Sequence, residues 1–214
     1  MPVPTKICGL STPETVSAAV AGGVSHIGFM FFDKSPRNIT PDAAARLTAQ
    51  ARTKNIKIVA VTVDPDDELV DRLTAILKPD LFQLHGAETP ARARAIAARS
   101  GAGIIKALSI STAHDLSAAK AYEASTDHLM FDAKAPQDSE LPGGNGARFD
   151  WTLMMGHRFQ RPWFLAGGLD PWNVVEAVRL SGAPMVDVSS GVERGPGLKD
   201  PALITAFLEA VRRA

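Results

Sequence analysis

Short apolar runs rich in β-branched residues alternate along the chain with longer Ala-rich stretches whose apolar positions recur every three or four residues. The first kind has the length and composition of buried strands, and the second has the spacing of a helix that hides one face. Strands are predicted at 3–8, 26–31, 57–63, 81–84, 103–108, 128–132, 163–166 and 185–188. Helices are predicted near 13–21, 41–53, 66–77, 90–99, 112–123, 150–157, 171–181 and 201–213. Between them, Thr12-Pro13, Thr40-Pro41, Asp64-Pro65, Thr89-Pro90, Asp170-Pro171 and Asp200-Pro201 follow a strand or its loop. Thr or Asp can accept from the free amides of a helix start, and Pro in the first helical position loses no needed donor. The recurrence marks each site as a strand-to-helix connection.

An α/β protein of eight such units has a parallel sheet. At about 27 residues per unit the 214-residue chain is just long enough to close a single-domain (β/α)8 TIM barrel over 1–214. The rival is an open doubly wound sheet, but no G-x-G-x-x-G follows the first strand, where Lys6-Ile7-Cys8-Gly9-Leu10 stands instead. One stretch breaks the rhythm. The Gly/Pro-rich loop at 135–148, after strand six, is long for a βα connection and reads either as a surface insertion or as a mobile lid.

Composition narrows the function. With 45% hydrophobic and 21% charged residues the chain is not disordered, and Lys+Arg 23 against Asp+Glu 23 excludes a nucleic-acid binder working by bulk charge. One cysteine makes no internal disulfide, and no Cys/His cluster has zinc spacing, so no metal is expected. No signal-like start or long apolar run is present, so a soluble, cytoplasmic protein without membrane contact is expected.

In a barrel, chemistry collects where strands end. Gly167 and Gly168 follow strand seven, and Ser189, Ser190 and Gly191 follow strand eight. They are either ordinary turns or, by letting backbone amides and a short helix start approach an anion, a phosphate site. Cys8 is either a small buried hydrophobe or a reagent, with nearby Lys6 favouring its thiolate. Asp132, straight after an apolar strand, serves either structure or proton transfer, and strands one and six can face each other across a bound sugar. His85 is a loop histidine or a substrate contact, and Arg37 an exposed loop residue or a carboxylate clamp. Lys6 and Asp187 should point to one side of adjacent strands and pair.

Several strings in the chain resemble phosphoribosylanthranilate isomerase: Lys6-Ile7-Cys8-Gly9, Phe32-x-x-Ser35-Pro36-Arg37-x-Ile39, Gln83-Leu84-His85-Gly86 and Pro142-Gly143-Gly144-x-Gly146-x-x-Phe149-Asp150-Trp151. So do Leu165-Ala166-Gly167-Gly168-Leu169, Val186-Asp187-Val188-Ser189-Ser190-Gly191-Val192-Glu193 and Pro196-Gly197-x-Lys199-Asp200. The matches run in order from residue 6 to residue 200. The resemblance implies a cofactor-free isomerase of tryptophan biosynthesis, acting on a small phosphosugar as a monomer or homodimer. It implies Cys8 as general base and Asp132 as general acid, with Arg37, His85 and Asp187 binding substrate and the glycine turns holding phosphate. Asp132 must then start protonated, and Cys8 must reach its thiolate with help from Lys6. The loop string departs from the family at Asn145 and at Ala147-Arg148. A histidine-pathway aminoaldose isomerase would carry aspartate in place of Cys8, and a catalytically inactive phosphate-binding barrel would lack the acid or the base.

Overall fold

Eight strands, six of them followed by the turn signals read above, pair in parallel and in chain order: β1 (Thr5–Cys8), β2 (His26–Phe31), β3 (Lys57–Thr62), β4 (Leu81–Leu84), β5 (Gly103–Ile110), β6 (His128–Ala133), β7 (Trp163–Leu165) and β8 (Met185–Val188). β8 returns to β1, with Lys6 opposite Asp187, and the barrel closes. The structure is a computed structural model that describes residues 3–134, 143–144 and 146–214; of the loop expected at 135–148, residues 135–142 and 145 lie outside the described residues.

The strands are buried along nearly their whole length because helices cover the sheet outside while side chains fill it inside. Alternation still decides which side chain goes where. Cys8, Val59, Val61, Leu81, Ile105, Met130, Phe164 and Met185 pack as one apolar group in the barrel interior, separate from the larger layer between sheet and helices. Counting by two from these positions turns Lys6, Gln83, Asp132 and Asp187 inward as well. Gly28 makes room for one of them: a Cβ there would stand 3.1 Å from Lys6 Nζ.

The helices are α1 (Pro13–Ala21), α2 (Pro41–Leu47), α3 (Ala49–Arg52), α4 (Asp67–Ile76), α5 (Pro90–Ser100), α6 (Ala119–Tyr122), α7 (Val174–Ser181) and α8 (Pro201–Val211). Thr12, Thr40, Thr89 and Asp200 cap their helices through the side chain with Pro in the first turn, as expected. The other two Asp-Pro pairs behave differently. Asp66 caps α4, while Asp64 sits at φ 45° and accepts the Ala87 amide. Asp170 accepts the Trp172 and Asn173 amides, yet α7 starts only at Val174.

Three other expected helices are cut down. The stretch 41–53 breaks at Thr48, where the Thr48 hydroxyl donates to the Ala45 carbonyl and competes with the helix ladder. The stretch 112–123 is a 3-10 segment, Ala113–Ala118, followed by one turn of α6, and 150–157 keeps only the 3-10 turn Trp151–Met154. An unexpected hairpin, β9 (Glu193–Gly195) and β10 (Leu198–Lys199), follows β8, with Gly197 at φ 77° in its turn. Its polar strands carry no apolar alternation, so periodicity gave no warning of it.

Candidate active site

The C-terminal ends of the strands surround a cavity of about 750 Å³ including its mouth, and Cys8, Arg37, His85, Asp132, Gly167, Gly168, Asp187, Ser189 and Ser190 line it. All the expected site residues except Gly191 thus meet at one opening, with Gly191 next in the chain to Ser190. Gln83 lines it too.

At the bottom, β1 and β8 supply a buried ionic pair: Lys6 Nζ donates to Asp187 Oδ1 at 2.8 Å, as the strand register predicts. Burial works against the Lys6 ammonium, but Asp187 and Cys8 together outweigh it and hold Lys6 above the ordinary lysine value. Cys8, buried one inward step above Lys6, does not inherit the expected lowering. Burial pushes its thiol above the ordinary cysteine value; Lys6 and Lys199 oppose this, but Asp187 adds to the rise. The cation that favours a thiolate is already answered by a carboxylate. Lys6 acts on the thiol in the expected direction, towards the thiolate, but burial outweighs it.

Asp132 lies on β6 with one carboxylate oxygen hydrogen-bonded and the other near His85 Nε2, which makes no hydrogen bond among the described residues. Oδ1 accepts the Ala133 amide at 2.8 Å, and Oδ2 stands 3.2 Å from His85 Nε2. His85 Nδ1 in turn lies 3.1 Å from the Gln83 amide nitrogen, which ties the histidine to an inward residue of β4. Two glycines fit around this group for lack of a side chain. A Cβ on Gly167 would meet Asp132 Oδ1 at 2.9 Å, and one on Gly143 would meet both Asp132 Oδ2 and His85 Nε2 at 2.6 Å. Gly167 therefore makes space for the carboxylate as well as turning the chain at φ 85°.

The loop bearing His85 is held from behind by a buried ion pair. Glu88 accepts Lys106 Nζ at 2.8 Å and the Asp64 and Gly86 amides, while Lys106 also donates to the Leu84 and Gly86 carbonyls.

On the opposite rim, Gly168 takes φ 63° and the amides of Gly168, Ser190 and Gly191 donate to no acceptor among the described residues. Such amides suit an anion. The helix expected after Ser190 is a single 3-10 turn, Ser190–Val192, so an axial dipole adds little there.

Arg37 is buried rather than free in a loop. Its Nε and Nη2 grip Glu193 at 2.7 and 2.8 Å, and Nη2 also donates to the Gly144 carbonyl at 3.2 Å. The planar fork is thus used inside the protein, while Arg37 as a whole still lines the cavity. Glu193 also accepts Lys199 Nζ at 2.6 Å. Gln83, Glu193 and Lys199 stand in sequence motifs that by themselves assign them no task. The pairing of Arg37 with Glu193 spans 156 positions, which no local pattern reports.

A family model described as N-(5'-phosphoribosyl)anthranilate isomerase matches residues 5–210. A relative of that name from Caulobacter sp. (strain K31) is 67% identical over 211 residues, covering 99% of each chain. A solved phosphoribosylanthranilate isomerase in complex with reduced 1-(o-carboxyphenylamino)-1-deoxyribulose 5-phosphate superposes with a TM-score of 0.85 at 32% identity, over 99% of this chain and 100% of that one. Another solved structure, of mutually generated monomers of the dimeric enzyme from Thermotoga maritima, gives a TM-score of 0.83 at 32% identity, with the same coverage.

Proposed function

The chain belongs to the N-(5'-phosphoribosyl)anthranilate isomerase family, and we propose that Cys8 and Asp132 divide the proton transfers of its reaction between them. The enzyme converts N-(5-phosphoribosyl)anthranilate to 1-(2-carboxyphenylamino)-1-deoxyribulose 5-phosphate in tryptophan biosynthesis, an Amadori rearrangement. In the proposed course Asp132 gives its proton to the ribose ring oxygen. The C1–O bond breaks towards that oxygen, and the nitrogen lone pair closes an iminium. Cys8 as thiolate then takes the proton from C2, the released electrons form the enolamine, and tautomerisation with a proton delivered to C1 leaves the ketone at C2.

The observation that carries this reading is that the buried Cys8 thiol and the buried Asp132 carboxyl group line one cavity, from strands three steps apart round the barrel, while the other buried carboxyl group there, Asp187, is paired with Lys6. The phosphate would sit on the Gly167-Gly168 and Ser189-Ser190-Gly191 turns. The anthranilate carboxylate would point to Arg37, leaving His85 and Asp187 beside the sugar. A cytoplasmic enzyme, monomeric or homodimeric, completes the proposal; the dimeric Thermotoga relative favours the second state.

The test follows loss of substrate fluorescence with purified wild type, Cys8→Ala and Asp132→Asn. General acid–base groups contribute about 10²–10⁴-fold, so each variant should lose about that much turnover with an unchanged circular dichroism spectrum. Either variant keeping more than about a tenth of wild-type turnover would remove its residue from the role.

A further inference from the structure

The hairpin β9–β10 places two charged residues behind Arg37 that the reaction does not call for. Arg37, Glu193 and Lys199 form one buried row, with the side chains of all three nearly inaccessible to water. An arginine whose fork is closed on a carboxylate is formally neutral as a pair, and a neutral pair is a poor partner for the carboxylate of a substrate. Lys199 changes that balance. Its Nζ donates to Glu193 Oε1 at 2.6 Å, to the Ser189 carbonyl at 2.9 Å and to Ser189 Oγ at 3.1 Å. Ser189 Oγ spends its own hydrogen on the Cys8 carbonyl at 3.3 Å, so it accepts from Lys199. Three donations from one nitrogen require an ammonium; burial lowers Lys199 from the ordinary lysine value, and Glu193 opposes that. Two cations then share one anion, and the row keeps a single positive charge.

We propose that Lys199 is a positioning residue for substrate binding: by holding Glu193 from the far side it leaves Arg37, the member facing the cavity, with a net positive charge for the substrate's carboxylate. Glu193 aims the guanidinium, and Lys199 stops Glu193 from cancelling it. The proposal rests on the reading above that Arg37 meets the anthranilate carboxylate.

The test compares two non-reacting ligands by calorimetry at one fixed salt concentration: the reduced product, and the same molecule with phenylamino in place of carboxyphenylamino. Their ratio of dissociation constants isolates the carboxylate. In wild type the ratio should favour the carboxylated ligand. In Lys199→Met, where the row becomes neutral, that preference should fall roughly tenfold, as expected for removing a unit charge several ångströms away in a partly screened site. Binding of the phenylamino ligand should weaken less than binding of the carboxylated one. Glu193→Gln adds a charge and should raise the preference, and Glu193→Gln with Lys199→Met restores a single charge and should return it towards wild type.

If both ligands weaken equally in Lys199→Met, the lysine only supports the fold of the hairpin and the proposal fails. Should Lys199→Met not fold, Glu193→Gln alone decides, because a fall in preference would contradict the charge argument. If wild type itself shows no preference, Arg37 is not the carboxylate's partner, and the reading beneath the proposal is what fails. Wild-type preference with an unmoved Lys199→Met ratio overturns the proposal alone.

Discussion

Cys8 carries the largest demand in the proposed chemistry and sits in a setting that resists it. Its thiol is held above the ordinary value by burial and by Asp187, against the pull of Lys6 and Lys199. The base form is therefore a minority at neutral pH, and kcat/KM of the wild type should keep climbing with pH through the neutral range into the alkaline one. Asp187→Asn removes a carboxylate that raises the thiol, so the climb should shift to lower pH. The same change strands a buried Lys6 and should cost about 3–5 kcal/mol of stability. A pH profile of kcat/KM beside a urea unfolding curve checks both, and an unshifted or upward-shifted limb would refute the electrostatic account. At this scale the sequence was informative where a residue's type and strand end sufficed, as for Cys8 and Asp132. It was silent where the partner lies far along the chain: nothing around residue 37 announces that Glu193 occupies its fork. Nor could strand register alone say that burial would outweigh Lys6 at the thiol.

The hairpin β9–β10 and the start of β2 show what single elements add to the barrel. β2 begins with His26, whose Nδ1 lies 2.8 Å from Ser25 Oγ and whose ring meets Phe164 edge-on, with His128 from the start of β6 close by. Burial, reinforced by His128, lowers His26 to about 4. A group with a depressed folded-state value contributes stability that is present above its unfolded value near 6.5 and is lost as pH falls through the folded one. Unfolding free energy should therefore drop by about 3 kcal/mol from this histidine between pH 7 and pH 4. His26→Leu should lack most of that component; equal pH dependence in the two proteins would contradict it. Glycine at position 191 is likewise an element-level constraint, since a Cβ there would run into the Leu169 carbonyl on the neighbouring turn. Free phosphate should inhibit competitively, and Gly191→Val should raise KM more than it lowers kcat. Unchanged KM would move the phosphate elsewhere. Most elements were legible because buried strands and Pro-capped helices have strong local signatures. The 3-10 segments at Ala113–Ala118 and Trp151–Met154 were not, because their composition is that of a helix and only tertiary packing shortens them.

Across the whole molecule, closure of β8 onto β1 brings residues from both ends of the chain to one rim, so that Cys8 and Asp132 face one cavity with anion-suited groups on either side. The count of units and their punctuation were enough to read this arrangement, because the eightfold repeat leaves few topologies; the occupancy of the rim by internal ion pairs was not, because it depends on contacts between loops. In the proposed course two different residues perform two successive steps, and deuterium at C2 of the substrate separates them. If Cys8 removes that hydrogen, weakening the base in Cys8→Ser makes the step more limiting and the isotope effect on turnover should grow. Weakening the acid in Asp132→Asn makes ring opening limiting, and the effect should shrink towards unity. An isotope effect that disappears in Cys8→Ser or grows in Asp132→Asn would contradict the assignment of base and acid.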